Sequence, residues 1–423
     1  MTDHDDRDGP RVAVLGGGPG GLMAAEVLAA GGLHVTVYDA APSVGRKLLL
    51  AGRGGLNLTH SEPLDTFVDR YGPSAPRLHD AIERFSPDDL RKWSAGLGEP
   101  TFVGSSGRVF PESFRANRLL EAWLDRLGAL GVELRTGRRW RGWADDGRVV
   151  VSGPDGDEQV RASATILSLG GASWPTTGSD GSWVATMETS AIEVTPLRPA
   201  NSGVEVAWTP VFAQRFAGTP VKNVGLRCGD ATTRGELMVT EHGLEGGAVY
   251  ALSQPIHDEL DRGRGTVVHV DLVPDLDRDA VLARLGRRRA KDSRSTVLRR
   301  HLGLAPVAVG LLREATDNAL PVEDREVAEL VKDVPVRLTA SAPMDRAIST
   351  AGGVAWDEVD DDFMLRRRPG TYVVGEMLDW EAPTGGYLLQ ATFSTAVVAA
   401  KAVLARPGTV GSASDGAQHD ELG

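Results

Sequence analysis

Cysteine is almost absent from this sequence. A single cysteine, Cys228, occurs in 423 residues, so no internal disulfide can form and a disulfide-stapled scaffold is excluded. Long hydrophobic runs are also missing. The best candidate for a membrane span, residues 396–405, is far shorter than the ~20 residues that a bilayer requires, and it contains Lys401. We therefore predict no membrane-spanning segment.

Common metal-binding and hydrolase patterns are missing as well. The sequence contains no CxxC, HExxH or GxSxG pattern, so neither a metal site nor serine hydrolase chemistry is expected. Five histidines show no spacing typical of metal ligands: His60, His242, His257, His269 and His301. The first ten residues, MTDHDDRDGP, are acidic and lack the apolar core of a signal peptide. The cytoplasm is therefore the expected location.

Positive charge is scarce relative to negative charge. The chain has 46 Lys and Arg against 58 Asp and Glu, which gives a net charge of -12. This balance argues against a general attraction to nucleic acid or anionic lipid, although it leaves room for a local basic surface. The hydrophobic fraction of 41% and the charged fraction of 25% are typical of a globular protein with a buried core. The oligomeric state cannot be inferred from these values.

The chain length predicts two or three domains. Residues 1–10 and 406–423 are polar, with few large apolar groups, and are predicted to be disordered tails. Residues 11–173 begin with a strand, a glycine turn, an alanine-rich helix and a second strand. Residues 345–405 return to a strand and a long helix. We therefore predict an α/β, doubly wound domain interrupted at 174–344 by a β-rich and helical insertion.

The first motif is the glycine turn GGGPGG at positions 16–21, a match to GxGxxG. Gly16 permits the tight turn, Gly18 lets the backbone approach a pyrophosphate, and Gly21 lets the helix pack against the strand. Asp39 ends the next strand, 23 positions after Gly16, which suits a carboxylate that binds a ribose hydroxyl. The context predicts dinucleotide binding. Asp39 on its own would be interpreted as a solvated carboxylate at the end of a strand.

Two further motifs carry glycines. Residues 45–60 read GRKLLLAGRGGLNLTH and combine four glycines with three cations, which suits a loop that covers the dinucleotide. The alternative is a mobile basic surface loop. Residues 166–175 are a buried strand that ends in Gly170 and Gly171, which allows close backbone approach to a ligand. The alternative there is an ordinary turn after a strand.

A fourth motif, at residues 374–390, places Gly-Glu after a strand and Gly-Gly at the start of a long helix. Glu376 can accept hydrogen bonds from the hydroxyls of a ribityl chain. The amides of Gly386, Tyr387 and Leu388 can donate to a carbonyl, and the helix dipole favours negative charge at that point. A reduced flavin is anionic around its pyrimidine ring, so this helix start would stabilise it.

Taken together, these motifs resemble the HI0933-like flavoproteins, also called the BaiN/RdsA family and often labelled aminoacetone oxidase-like. The resemblance runs from about residue 11 to residue 405. It implies a two-dinucleotide-type Rossmann-like FAD-binding domain in two parts, 11–173 and 345–405, with a substrate-side insertion. It also implies that the backbone near Trp140 holds the adenine. The residues to which the resemblance assigns FAD are Gly16, Gly18, Gly21, Asp39, Arg46, Lys47, Gly54, Asn57, Leu58, Gly171, Glu376, Gly386, Tyr387 and Leu388.

One position departs from the family pattern. Many relatives read GRCN in the second motif, whereas this chain has Leu56 in place of the cysteine. A mechanism that uses a thiol there cannot be transferred to this protein. Cys228 is not an obvious substitute, because a lone cysteine is more often a small buried apolar group.

The predicted function is an FAD-dependent oxidoreductase that reduces an activated C=C bond with NAD(P)H. Tyr387 and Glu381, beside the expected flavin, are the catalytic candidates; Tyr387 can supply a proton or form an aromatic lid. No second GxGxxG follows a strand, so NAD(P)H is expected as a transient co-substrate. The resemblance suggests enone-like steroids or a pyrimidine in RNA as substrates. One alternative is an amine oxidase that produces hydrogen peroxide, and another is a flavin-holding module associated with RNA.

The RNA alternative depends on a basic segment between positions 278 and 300. Only Asp279 and Asp292 oppose its nine cations. A surface of this kind can bind RNA or another polyanion. A solvated helix face that pairs with acids elsewhere is the favoured interpretation. The nine cations are Arg278, Arg284, Arg287, Arg288, Arg289, Lys291, Arg294, Arg299 and Arg300.

Overall fold

A computed structural model describes residues 11–52, 55–263, 265–289 and 291–406. The predicted tail 1–10, nearly all of the predicted tail 406–423, and Gly54 lie outside these described residues. The chain divides into two compact units. The first runs to Leu197 and resumes at Ala351, and the second is Arg198–Thr350.

The described strands are β1 (Arg11–Leu15), β2 (His34–Asp39), β3 (Thr59–His60), β4 (Thr101–Val103), β5 (Arg108–Pro111), β6 (Glu133–Thr136), β7 (Arg139–Trp143), β8 (Val149–Gly153), β9 (Gly156–Val160), β10 (Ala164–Leu167), β11 (Val194–Ala200), β12 (Val204–Glu205), β13 (Thr219–Cys228), β14 (Ala231–Val239), β15 (Gly243–Glu245), β16 (Val267–Asp271), β17 (Val334–Arg337), β18 (Ala340–Ser341), β19 (Ser349–Val354) and β20 (Thr371–Val373). The described α-helices are α1 (Pro19–Ala30), α2 (Arg46–Ala51), α3 (Leu64–Asp69), α4 (Ala75–Arg84), α5 (Pro87–Gly96), α6 (Ala116–Ala129), α7 (Trp183–Thr189), α8 (Pro210–Phe216), α9 (Gly247–Ala251), α10 (Ser253–Asp261), α11 (Arg278–Leu285), α12 (Arg294–Leu302), α13 (Pro306–Glu314), α14 (Asp324–Lys332) and α15 (Tyr387–Ala405).

The first unit is built on a five-stranded parallel sheet in the order β20-β10-β1-β2-β6. Strand β1 lies in the middle, and four of its five residues are buried, as the short apolar run predicts. The chain leaves β1 for β2 on one side and later returns to β10 on the other. The carboxyl ends of β1, β2, β10 and β20 therefore meet at one edge of the sheet, where a doubly wound fold binds its ligand. The predicted fold class is confirmed.

Helix α15 packs beside α1 in the core of the first unit. Its apolar length and composition would suffice to cross a membrane, but most of the helix is buried, including Phe393, Val397 and Ala400. A helix of alanines and valines is apolar on all sides when it lies inside a protein. Burial in this core accounts for the hydrophobic run.

The second unit contains a seven-stranded sheet in the order β17-β16-β13-β14-β15-β12-β18, with antiparallel pairs throughout. Helices α11, α12, α13 and α14 contribute apolar residues to the same core as the sheet. Residues 174–197, which we assigned to the insertion, lie in the first unit. Trp183 and Met187 on α7 explain this placement, because both are buried in a cluster with Trp140 and Val149.

Candidate functional site

In the glycine turn between β1 and α1, Gly16 and Gly21 are required by the fold, whereas Gly18 leaves space for a ligand. Gly16 has φ +104°, and a β-carbon there would lie 2.1 Å from the carbonyl oxygen of Ser168. A β-carbon on Gly21 would lie 1.9 Å from the oxygen of Gly16. At Gly18, by contrast, a β-carbon would meet nothing within 4 Å. Helix α1 has no side-chain cap, so its first amides at this open position are available to an anion.

Asp39, at the end of β2, ties the glycine turn to the next loop. Its carboxylate accepts from the backbone N–H of Gly17 at 2.6 Å and from that of Ala41 at 2.7 Å. Burial raises the pKa of Asp39, and the hydrogen bonds from Ala41 and Gly17 oppose this rise. The carboxylate therefore has a structural role beside the predicted ribose contact, which stays a prediction.

Three sequence-distant segments meet around Lys47. Its Nζ lies 2.7 Å from Oε2 of Glu376 and 2.9 Å from Oγ of Ser173. The N–H of Gly171 donates to the same Glu376 oxygen at 3.2 Å. The second, third and fourth motifs are thus joined at the carboxyl edge of the sheet. This arrangement places a cation and a carboxylate side by side, suited to a ligand with both phosphates and hydroxyls.

The second motif is partly helical and partly buried. Residues Arg46–Ala51 form α2, where we predicted a glycine-rich loop. Leu56 and Leu58 are buried in the core of the first unit, and Asn57 lies between them. The residue that replaces the family's cysteine is therefore a packing residue in this chain.

Buried polar atoms without partners mark the same site. Within the described part of the chain, six lie in the predicted motifs, next to Gly170 or at the predicted adenine position: Arg46 Nε, Asn57 Oδ1, Thr59 Oγ1, Trp140 Nε1, Ser179 Oγ and Gln390 Oε1. Buried polar atoms are almost always hydrogen-bonded in native proteins, so a set of unpartnered ones points to a polar ligand. The phosphates, hydroxyls and ring nitrogens of FAD offer donors and acceptors of the required kinds. The residues present fit this cofactor.

The fourth motif begins α15 with two strained glycines. Gly385 and Gly386 have φ +137° and +97°, and a β-carbon on Gly386 would lie 2.4 Å from the Cα of Thr59. Only glycine tolerates this combination of left-handed backbone and close contact. No side chain caps the helix, so the amides of Gly386, Tyr387 and Leu388 start a 19-residue helix without a side-chain acceptor.

Tyr387 is held by residues that the sequence analysis did not single out. Its hydroxyl donates to Oε1 of Glu62 at 2.6 Å, and its backbone oxygen accepts from the hydroxyl of Tyr71 at 2.7 Å. Glu62 also accepts two hydrogen bonds from Arg70, and the His60 ring stacks on Tyr387. Burial and the hydrogen bond to Glu62 raise the pKa of Tyr387. Glu62 lies just beyond the second motif, and no local pattern indicates its role.

Glu381, the other catalytic candidate, lies in the loop that leads to α15. This loop is anchored by Trp380, whose indole N–H donates to the oxygen of Gly375 at 2.8 Å. The Oδ2 atom of Asp379 accepts from the hydroxyl of Thr195 at 2.7 Å. Glu381 is therefore presented on a fixed segment, and its catalytic role stays a prediction.

Two other groups of charged side chains could serve as binding sites, one for a metal ion and one for a polyanion. Within the described ranges, the one group of three potential metal ligands is His79, Asp80 and Glu83 on helix α4. Exposed acidic groups of this kind are common without a metal ion. This grouping supports no metal site.

In the basic segment of the second unit, several cations have internal partners. Arg288 and Arg294 pair with Asp324, and Arg300 pairs with Asp292. The exposed cations Arg287, Arg289 and Lys291, in the connection from α11 to α12, have no side-chain partner among the described residues. The paired cations agree with the favoured interpretation, whereas binding of a polyanion by the exposed ones stays a prediction.

A doubly wound sheet with a glycine turn at its carboxyl edge, and with unpartnered polar atoms in the segments that meet there, is the architecture of a dinucleotide-binding protein. Together with its family and its relatives, this architecture makes the chain an FAD-dependent oxidoreductase. The chain belongs to the HI0933-like protein Rossmann domain family, whose sequence model matches residues 10–402. The family predicted from the motifs is confirmed.

Individual relatives cover nearly the whole chain. The chain is 27% identical over 411 residues to a 3-dehydro-bile acid delta(4,6)-reductase of Clostridium scindens, covering 94% of this chain and 100% of that protein. It is 25% identical over 404 residues to the ribosomal RNA dihydrouridine synthase of Escherichia coli, covering 93% and 97%. Its fold resembles 3-ketosteroid-delta4-(5alpha)-dehydrogenase of Rhodococcus jostii RHA1, with TM-score 0.52, 15% identity and coverage of 96% and 99%.

Proposed function

We propose that this oxidoreductase reduces a C=C bond conjugated with a carbonyl group, with NAD(P)H as the electron donor. The observation that carries the proposal is a chemical feature common to the two curated relatives. One is named as a 3-dehydro-bile acid delta(4,6)-reductase and the other as a ribosomal RNA dihydrouridine synthase. Double bonds at positions 4 and 6 of a 3-oxo steroid are conjugated with a carbonyl group, and so is the ring double bond that uridine has and dihydrouridine lacks. Both relatives align with this chain over more than nine-tenths of its length.

The cofactor assignment follows the open positions of the site. The first amides of α1, beside Gly18, would bind the pyrophosphate, and Asp39 would bind a ribose hydroxyl. Lys47 and Glu376 would bind the ribityl region, and the amides at Gly386 would bind a pyrimidine carbonyl. Bound FAD supplies the hydride equivalent for the reduction. The lack of a second GxGxxG turn favours transient rather than resident binding of NAD(P)H.

The hydrogen bonds of Tyr387 favour a positioning role over proton donation. Its O–H points to Glu62, so loss of the proton would place a phenolate 2.6 Å from a carboxylate. Like charges at that distance repel strongly in a buried setting. The same hydrogen bond fixes the first turn of α15, whose amides are assigned to the cofactor. Tyr387 therefore orients the helix start.

Glu381 is the remaining candidate for delivering the proton that accompanies the hydride. Replacement of a general acid removes a factor of ~10²–10⁴ from the rate. We expect Glu381→Gln to lower kcat by at least ~100-fold while FAD content is unchanged. Turnover near the parent value would show that another group supplies the proton.

The function is tested by product analysis. FAD-loaded protein is incubated without oxygen with NADPH and either a 3-oxo-Δ4 steroid or a uridine-containing ribosomal RNA fragment, and products are analysed by mass spectrometry. A product that gains two hydrogen atoms supports the proposal. If neither acceptor is reduced, and aminoacetone is instead oxidised in air with formation of hydrogen peroxide, the amine oxidase alternative replaces it.

RNA is a second candidate substrate, favoured by the exposed cations between α11 and α12. We expect the parent protein to bind a ribosomal RNA fragment with strong salt dependence. Reversal of Arg287, Arg289 and Lys291 to Glu should remove this binding without loss of FAD. Arg288 is left intact because it pairs with Asp324.

The matched control reverses to Glu three other exposed cations of the same unit that have no ion pair among the described residues, Lys222, Arg337 and Arg346. This control has the same net charge but retains the α11–α12 connection. Equal loss of RNA binding in both triple variants would show that total charge, not this connection, governs the association. No RNA binding by the parent protein at low salt would leave the solvated-face interpretation.

A further inference from the structure

Arg108 is an unassigned cation at the start of α15. It lies on β5, directly opposite His60 of β3 in an antiparallel pair, so the two side chains point to the same face. The His60 ring stacks on Tyr387 at a centroid distance of 5.5 Å. A β-carbon built on Gly385 would lie 3.9 Å from Nε of Arg108. The guanidinium group therefore lies against the turn that begins the helix.

The charge of Arg108 is not neutralised within the described residues. Its side chain is exposed and has no hydrogen bond or ion pair there. The neighbouring cation, Arg70, is already bound to Glu62 through two hydrogen bonds. Arg108 is thus the uncompensated positive charge beside this helix start.

Two other features of the same place point to a ligand. The Thr59 hydroxyl is fully buried and unpartnered, and the backbone of Thr59 contacts the position of Gly386. The helix amides at Gly386 have no side-chain acceptor. An anionic group that met these amides would also meet the field of the Arg108 guanidinium, because both lie at the Gly385–Gly386 turn.

We propose that Arg108 holds the negative charge of the pyrimidine ring of reduced FAD and thereby raises the reduction potential of the bound cofactor. The inference rests on the proposed placement of that ring at Gly386. Oxidised FAD is neutral in this ring, whereas the two-electron reduced form is anionic there. A fixed cation therefore favours the reduced form without being needed for binding of the oxidised form.

The test measures the potential of FAD-loaded protein by equilibration with a reference dye, with no substrate present. The variants are Arg108→Gln, Arg108→Lys and the control Arg148→Gln, which removes an arginine from the β7–β8 turn of the same unit. We expect Arg108→Gln to favour reduced FAD at least tenfold less, equivalent to about 30 mV for a two-electron couple. Arg108→Lys should recover part of this loss, and Arg148→Gln should match the parent.

Affinity for oxidised FAD separates this electrostatic role from a structural one. We expect the dissociation constant of oxidised FAD to change less than threefold in Arg108→Gln. An unchanged potential in Arg108→Gln would overturn the proposal, and would direct attention to Arg108 as a substrate contact. A lowered potential in a protein that reduces no C=C bond would refute the proposed function while leaving this inference intact.

Discussion

At Gly18, one substitution can test cofactor binding without disturbing the fold. Its backbone has φ -80° and ψ -178°, an extended conformation open to any residue, and a β-carbon there has nothing within 4 Å. Gly18→Asp should therefore fold. With FAD bound, the new carboxylate would stand beside the pyrophosphate. Two charges ~4 Å apart at an effective dielectric of ~20 repel by ~4 kcal/mol.

Solvent screening at this open position reduces that repulsion, so we expect FAD binding to lose about 2.8 kcal/mol. This loss corresponds to a ~100-fold larger dissociation constant. The assay is a titration of apoprotein with FAD, followed by flavin fluorescence, beside the thermal midpoint of each apoprotein. Gly18→Ala should bind FAD better than Gly18→Asp. Gly21→Ala, whose β-carbon would lie 1.9 Å from the oxygen of Gly16, should instead lose the fold. FAD affinity within threefold of the parent in Gly18→Asp would refute the pyrophosphate assignment.

Three further substitutions have defined outcomes. Asp39→Ala should weaken FAD binding by ~1.5–3 kcal/mol for a charged hydrogen bond, measured by the same titration, and unchanged affinity would leave only the structural role. Gly386→Ala should abolish FAD binding, because its β-carbon would meet the backbone of Thr59. Gly32 has a similar positive φ of +87° but no contact within 4 Å, so Gly32→Ala should cost only ~1–2 kcal/mol of stability. Equal effects of the two substitutions would show that the contact with Thr59 is not decisive. Burial raises the pKa of Glu62, but the hydrogen bonds from its partners, Tyr387 among them, outweigh burial and lower this pKa below its ordinary 4.5. Tyr387→Phe should therefore destabilise the folded protein by ~1.5 kcal/mol above pH 4.5. The loss of stability should become smaller as the pH falls through the pKa that Glu62 has in the folded protein. Thermal midpoints across the pH range would contradict this if the loss were constant.

The carboxyl edge of the parallel sheet could be predicted because the sequence features that indicate it are close together in the chain. A short apolar strand, a glycine turn and an alanine-rich helix occur consecutively, and burial on both faces of β1 follows directly from that run. The structural roles of Gly16 and Gly21 also follow, since a tight turn and close helix packing leave no room for a β-carbon.

The partners of those motifs could not be predicted in the same way. The Lys47–Glu376 ion pair joins residues 329 positions apart, and only the fold brings them together. The Glu62–Tyr387 hydrogen bond spans 325 positions, and it is the contact from which we propose a positioning role for this tyrosine. Residues 46–51, RKLLLA, form a helix because arginine, lysine, leucine and alanine all favour helices, a local preference that the glycine content of the motif concealed.

In the proposed reaction, electrons pass from NAD(P)H through bound FAD to a conjugated C=C bond. The most direct measurement follows the visible absorbance of FAD in the purified protein without oxygen, first on addition of NADPH and then of a 3-oxo-Δ4 steroid or uridine-containing RNA. We expect NADPH to bleach the absorbance and one of the acceptors to restore it. If NADPH leaves the absorbance unchanged, and only a small amine such as aminoacetone bleaches it, the proposed reaction is wrong.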